Sequence, residues 1–275
     1  MFAMMEMTDA PPVGMVERIR RGFRGYRGVS ADWENVLGMK VLRVAFEVPD
    51  GKKRTALEKR IGFTIGLLKQ QGIKQLGFSA GFPYKEIFIR AGFTGLKRDA
   101  LYELLMCDIA VKAAVERNAA ALFARRITLC VERALRGLCA NYRYVMVEIE
   151  SGGDLVCRNL RRAYGVSVIE KPSHKQLMTV NTALFFNQPL KKISLPDECV
   201  TVAVNENMLE GVVCQNYVSA IDVEISPQEA NPLPAGYSRE TFLAAAVSAG
   251  VLRGNHLTLN SVKIETRGVA IAGKT

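Results

Sequence analysis

Residues 142–169 restrict the folds open to this chain more than any other segment. The run Tyr-Arg-Tyr-Val-Met-Val-Glu-Ile-Glu, ending at Glu150, is rich in β-branched and aromatic residues and reads as a strand. Ser151-Gly152-Gly153-Asp154 breaks it. Leu155, Val156 and Leu160 then share one side of a helix that runs to Tyr164 and stops at Gly165, with Arg158, Arg161 and Arg162 elsewhere on it. Val166-Ser-Val-Ile169 reads as the next strand. Strand, helix and strand in so short a span imply a parallel pair joined by a right-handed crossover. A parallel sheet needs cover on both faces, so the rest of the chain must supply more helices and strands.

It does. Residues 40–48 alternate as a strand, and Leu57, Ile61, Ile65 and Leu68 form a helical stripe closed by Gly72. Residues 73–78 predict a short strand and 99–117 a helix. Segment 126–130 reads as a strand or as the start of a helix through Leu138. Residues 182–186, 200–204, 211–225 and 256–267 read as strands, with a helix over 238–249. The fold class is therefore α/β, a mixed, mostly parallel sheet flanked by helices with a β-richer C-terminal third. Residues 1–38, broken by Pro11, Pro12 and several glycines, read as a basic Gly/Arg-containing arm. Residues 39–275 read as one body, with a subdivision near 120–125 as the alternative.

At 275 residues and 49% hydrophobic content, the chain can bury a large core and is neither a disulfide mini-protein nor a disordered tail. The six cysteines have no CxxC spacing, and several sit in apolar runs. They read as reduced core residues of a cytoplasmic protein, with no membrane partner expected. With only two histidines, no structural metal site is expected. The net charge is +10, and residues 51–100 alone hold 11 basic and 3 acidic residues. Such a field attracts phosphates or nucleic acid.

Four groups of residues carry candidate chemistry. The first is the loop after the strand 142–150. Gly152 and Gly153 allow close backbone approach, and the N–H groups of the following helix face any anion placed there. Glu150, Ser151, Gly152, Gly153, Asp154, Arg158 and Lys171 are the expected ligand contacts. Arg158 and Lys171 would meet an anion, and Glu150 and Asp154 a metal or hydroxyl. A small phosphorylated or nucleotide-like ligand, with Mg²⁺ or a nucleotide as cofactor, is the leading expectation. The spacing Glu150-x-x-x-Asp154 also resembles the Glu-x-x-x-Asp element of Toprim nucleotidyl domains. That resemblance implies Mg²⁺ ligation and asks for an Asp-x-Asp strand, of which Asp222-Val-Glu224 is the nearest counterpart.

The second is Gly77-Phe-Ser79-Ala-Gly81, which matches GxSxG and resembles the nucleophile elbow of α/β-hydrolases. The resemblance implies a serine hydrolase with Ser79 as nucleophile, His256 as base and Asp222 as its orienter. The third is Arg21-Gly-Phe23-Arg24-Gly-Tyr26-Arg27, similar to arginine–glycine-rich RNA-binding segments. Its arginines suit phosphates and its aromatics suit base stacking. The basic stretch 51–60 would extend that surface for RNA or a protein partner. The fourth is His174, flanked by Lys171 and Lys175 just past the strand 166–169, as a general base beside an anionic substrate. A purely structural role, with apolar surface covered in a homo-oligomer, completes the set of readings.

Overall fold

The computed structural model describes residues 1–8, 28–47, 54–225 and 236–267. It divides into two compact units. One comprises Met1–Lys97 with Gln228–Leu252, the other Arg98–Pro227 with Arg253–Thr275.

The first unit holds β1 (Phe2–Thr8), β2 (Val29–Val36), β3 (Met39–Glu47), β4 (Gln75–Phe78) and β5 (Thr94–Gly95), in the order β2-β3-β1-β4-β5. Two segments of the expected arm are thus part of the sheet. Phe2–Thr8 lies at its centre, parallel to both β3 and β4. Ala3, Met4 and Met5 are fully buried, so an apolar run without alternation serves as a two-faced inner strand. β2 and β3 form a hairpin whose turn residues Leu37 and Gly38 have φ of 52° and 75°, the mirror-type turn that matches strand twist. Arg43 clamps one end of this sheet, donating to Glu6 at 2.7 and 3.1 Å and to Glu34 at 3.2 Å.

Helices α1 (Arg54–Gln70) and α2 (Lys85–Arg90) cover one face, where Ile61, Leu68 and Phe88 pack with Met5, Val44 and Phe46. On the other, the ring of Phe242, in the helix Arg239–Ser248, lies 5.4 Å from that of Phe2. The outer face of α1 carries Gly62 and Gly66, where an added Cβ would meet nothing within 4 Å. Glycine costs a helix interior about 1 kcal/mol relative to alanine. Gly62→Ala with Gly66→Ala should therefore raise the urea midpoint by an amount equivalent to about 1–2 kcal/mol. An unchanged or lower midpoint would show that this face is covered in solution.

The second unit is built on seven strands: β6 (Ala119–Arg126), β7 (Tyr144–Ser151), β8 (Ser167–Glu170), β9 (Thr182–Phe185), β11 (Val200–Ala203), β13 (Asn216–Ile225) and β14 (Leu257–Thr266). β10 (Ile193–Ser194) and β12 (Val212–Val213) pair separately. The main order is β14-β13-β11-β9-β6-β7-β8. Every pair from β8 to β13 is parallel, and β14 alone runs antiparallel. The helices are α3 (Asp99–Ala113), α4 (Leu129–Asn141), α5 (Gly153–Tyr164) and α6 (His174–Leu177).

Counted from β6, this is the order 3-2-1-4-5-6 of the doubly wound, Rossmann-type sheet with one antiparallel strand added. The mixed, mostly parallel α/β fold predicted from the sequence is the fold observed. Ala119–Arg126 is an inner strand, however, and the helix begins only at Leu129, so residues 126–130 straddle strand end and helix start. The boundary between the units falls at 97/98 rather than near 120–125, because residues 119–126 form the centre of a sheet. One face carries a cluster that includes Ala121, Phe123, Met146, Ala183 and Phe185. Tyr142 ties the other face to α3, its hydroxyl donating to Ala110 O at 3.3 Å and lying 3.1 Å from Thr182 Oγ1.

Candidate functional site

In a doubly wound sheet, strands leave the centre in two directions, and the loops beyond their carboxyl ends part where the direction reverses. Here that point lies between β6 and β9. A shallow cleft of about 20 Å³, open to solvent, sits there, lined by Phe123 and Ala124 of β6, Glu148 and Glu150 of β7, and the segment Asn187-Gln188-Pro189-Leu190 after β9. Phe123, which lines it, stacks on its buried cross-strand partner Phe185 at 4.5 Å and 6°.

Short polar contacts order the rim. Arg125 N–H donates to Asn187 Oδ1 at 3.0 Å, satisfying a backbone donor that β9 no longer reaches. Ser151 Oγ donates to Arg125 O at 3.3 Å, and Arg125 Nε stands 4.0 Å from Glu150 Oε1. The side chains of Arg125 and Glu150 are 59% and 39% exposed, so both can turn toward a ligand. Leu129, Leu155 and Leu190 are 86%, 62% and 71% exposed. Leu129 and Leu155 stand in the first turns of α4 and α5, at the same edge of the sheet.

The glycine loop has a local structural reason. Gly152 takes φ +79° as the cap of α5, a conformation side chains disfavour. Gly153 is buried, and a Cβ there would lie 3.3 Å from Ile149 Cβ. No side chain caps α5. Asp154 is exposed in its first turn, and Arg158 Nε donates back to Asp154 O at 3.4 Å. Lys171, at the carboxyl end of β8, has φ +51° and donates its backbone N–H to Val147 O at 2.9 Å. His174 follows at the start of α6, exposed, beyond the Ser173 cap. Residues 150–154, 171 and 174 thus share the carboxyl edge of β7 and β8. Glu148, Asn187 and Gln188 line the cleft and Arg125 stands at its rim; none of the four was among the expected ligand contacts. Glu148 was within reach as the alternate neighbour of Glu150; the others meet only once β6, β7 and β9 are known to be adjacent.

Of the other expected constellations, Asp222 and His256 are not brought together. Ser79 does follow β4 in a strand–turn–helix, its N–H donating to Met5 O at 2.9 Å, but it belongs to the first unit. His256 and Asp222 belong to the second. β13 and β14 pair Asp222 with Ser261, five residues from His256, a separation of about 16 Å at strand rise. His256 Nδ1 instead accepts the Arg253 N–H at 3.2 Å, the position an orienting carboxylate would take. Asp222 Oδ2 accepts from Asn260 at 3.3 Å. The Toprim counterpart fares no better, since β13 lies four strands from β7, about 19 Å across the sheet. Among the described residues no group of three or more His, Cys, Asp or Glu could hold a metal ion. Arg21, Phe23, Arg24, Tyr26 and Arg27 lie outside the described residues. In the stretch 51–60, Arg60 is committed internally, donating to Glu47 O at 2.6 Å.

All six cysteines are free thiols, and among the described residues no helix is long and apolar enough to cross a membrane. No family model matches the chain, and no curated protein matches it. Among solved structures it is similar to a probable ornithine cyclodeaminase from Bordetella pertussis Tohama I, at 13% identity and TM-score 0.31, over 37% of this chain and 35% of that one. It is also similar to quinate dehydrogenase from Corynebacterium glutamicum in complex with NAD, at 9% identity and TM-score 0.29, over 76% of this chain and 84% of that one. A third is L-tryptophan dehydrogenase from Nostoc punctiforme, at 12% identity and TM-score 0.26, over 78% and 60%. The chain spans about a third of the length of the first.

Proposed function

We propose that the second unit binds a small phosphorylated, nucleotide-like ligand across the carboxyl ends of β6, β7 and β9. The observation that carries this reading is the shallow cleft at the reversal of strand order, with Glu148, Glu150, Asn187 and Gln188 converging on it, so that the ligand would lie over the strand ends rather than in an enclosed pocket. Carboxylates and amides at a cleft suit the hydroxyls of a ribose or sugar. The acidic residue ending the second strand is where doubly wound folds hold a ribose diol, and Glu150 occupies that position. Arg125, beside it, supplies the anion contact, and the exposed leucines offer apolar surface to a base. Lys171 and Arg158 lie at the same edge as further cationic contacts.

The β6–α4 turn favours one phosphate over two. It reads Arg125-Arg126-Ile127-Thr128, with no glycine, and Thr128 Oγ1 already accepts the Val131 N–H at 3.2 Å. A pyrophosphate needs close backbone approach at that turn, which glycines provide in dinucleotide folds. Arginine side chains reach a single phosphate without it.

Titration of AMP, ribose 5-phosphate and NAD into the full chain tests this. AMP should bind, and NAD should bind no more tightly than AMP. Arg125→Ala and Glu150→Ala should each weaken AMP about tenfold or more, the value of a charge-assisted hydrogen bond of roughly 1.5–3 kcal/mol. No binding at millimolar AMP, or unchanged affinity in both variants, would overturn the reading.

A further inference from the structure

A second cavity lies away from that edge, in a groove between α3 and α4. It has a volume of about 350 Å³, within the range of small-molecule sites, roughly 300–1,000 Å³. Glu103, Cys107 and Asp108 line it from α3, and Cys130, Arg133 and Gly137 from α4. Gly137 lets the helices close at one point, since a Cβ there would fall 2.3 Å from Cys107 Sγ.

The charges in this groove are unbalanced. Burial pushes the Glu103 carboxyl above its ordinary range, and Asp99, one turn earlier, pushes it further. Burial raises Asp108 as well, while Arg133 opposes the rise. Arg133 also lowers both thiols. Its guanidinium lies close against Gly254, where a Cβ would fall 2.6 Å from Nη1. Glu103 is therefore a half-buried carboxylate with a like charge for neighbour and no donor among the described residues, an arrangement that disfavours its ionised form. A local surplus of acid also stands out in a chain of net charge +10.

We propose that this groove binds a small organic cation of the primary-amine class, its ammonium group on Glu103 and a second amine or hydroxyl on Asp108. The ammonium supplies the positive charge and the hydrogen-bond donors that Glu103 lacks. The reading is independent of the proposed nucleotide site, which lies at the strand ends.

Spermidine is the probe, titrated calorimetrically into the full-length protein at low salt. It should bind at one site, and Glu103→Gln and Asp108→Asn should each weaken it at least tenfold. Arg133→Gln should tighten binding severalfold by removing a competing cation, a gain that a misfolded variant cannot mimic. Glu198→Gln, on an exposed loop, should leave it unchanged. Occupancy should also slow alkylation of Cys130 by iodoacetamide. Absence of binding, binding that survives both carboxylate changes, or weaker binding in Arg133→Gln would overturn the proposal.

Discussion

Raising the pH from 8 to 11 should markedly destabilise the second unit, which holds all six cysteines. Burial holds Cys107 and Cys199 up at about 12, and Cys139 and Cys157 at about 11, against an ordinary thiol value of 9.0. Below pH 9 these thiols are protonated in both the folded and the unfolded chain, and their burial contributes fully. Between pH 9 and 11–12 only the unfolded chain ionises them, so stability falls as pH rises. Each tenfold loss of thiol acidity on folding is worth about 1.4 kcal/mol, so the two most deeply desolvated thiols, Cys107 and Cys199, remove on the order of 2–5 kcal/mol by pH 11, and the more accessible Cys139 and Cys157 add less. That is a substantial part of the stability of a folded domain, about 5–15 kcal/mol. Urea midpoints at pH 8, 9.5 and 11 measure it, and Cys199→Ala should flatten the dependence. A midpoint insensitive to pH, or thiolate absorbance rising near pH 9 in the folded protein, would contradict this account.

The same burial explains what could be read from the sequence. Elements with one wet face announced themselves. Met39–Glu47 alternates, and α1 carries its stripe at Ile61, Ile65 and Leu68. The β7–α5–β8 crossover was legible because Gly152 and Gly165 mark both ends of its helix with positive φ. The two strands at the sheet centres were not. Ala119–Arg126 is apolar and buried on both faces as far as Ala124, and Phe2–Thr8 is apolar and buried from Phe2 to Met5, so alternation is missing from most of the first and half of the second. Ala119–Ala121 even favours helix by propensity, and packing between β7 and β9 overrides it. With β6 unseen, the reversal of strand order could not be located. Glu150 was a candidate, while its neighbours Arg125 and Asn187 were not. Motif matching failed for a related reason. Ser79, Asp222 and His256 have the order of a hydrolase triad in sequence, but strand register separates Asp222 from His256.

Phe185→Ala should be the most damaging single change to the second unit. Phe185 is fully buried and Phe123 is 3% exposed, and they meet where the strand order reverses. Truncating a buried phenylalanine costs roughly 3–5 kcal/mol, from lost transfer energy and the cavity left behind. An aromatic pair adds about 0.5–1.5 kcal/mol beyond its buried area. Phe185→Leu, which keeps much of the volume, should recover more than half of the loss. Because Phe123 also lines the cleft, its ring loses support in the alanine variant, and AMP should bind more weakly even in protein that remains folded. Urea denaturation gives the first quantity and titration at low denaturant the second. A loss below about 1 kcal/mol would mean that the two rings do not pack as cross-strand partners. The adjacency of β6 and β9 would then be wrong, and the cleft between their ends would go with it.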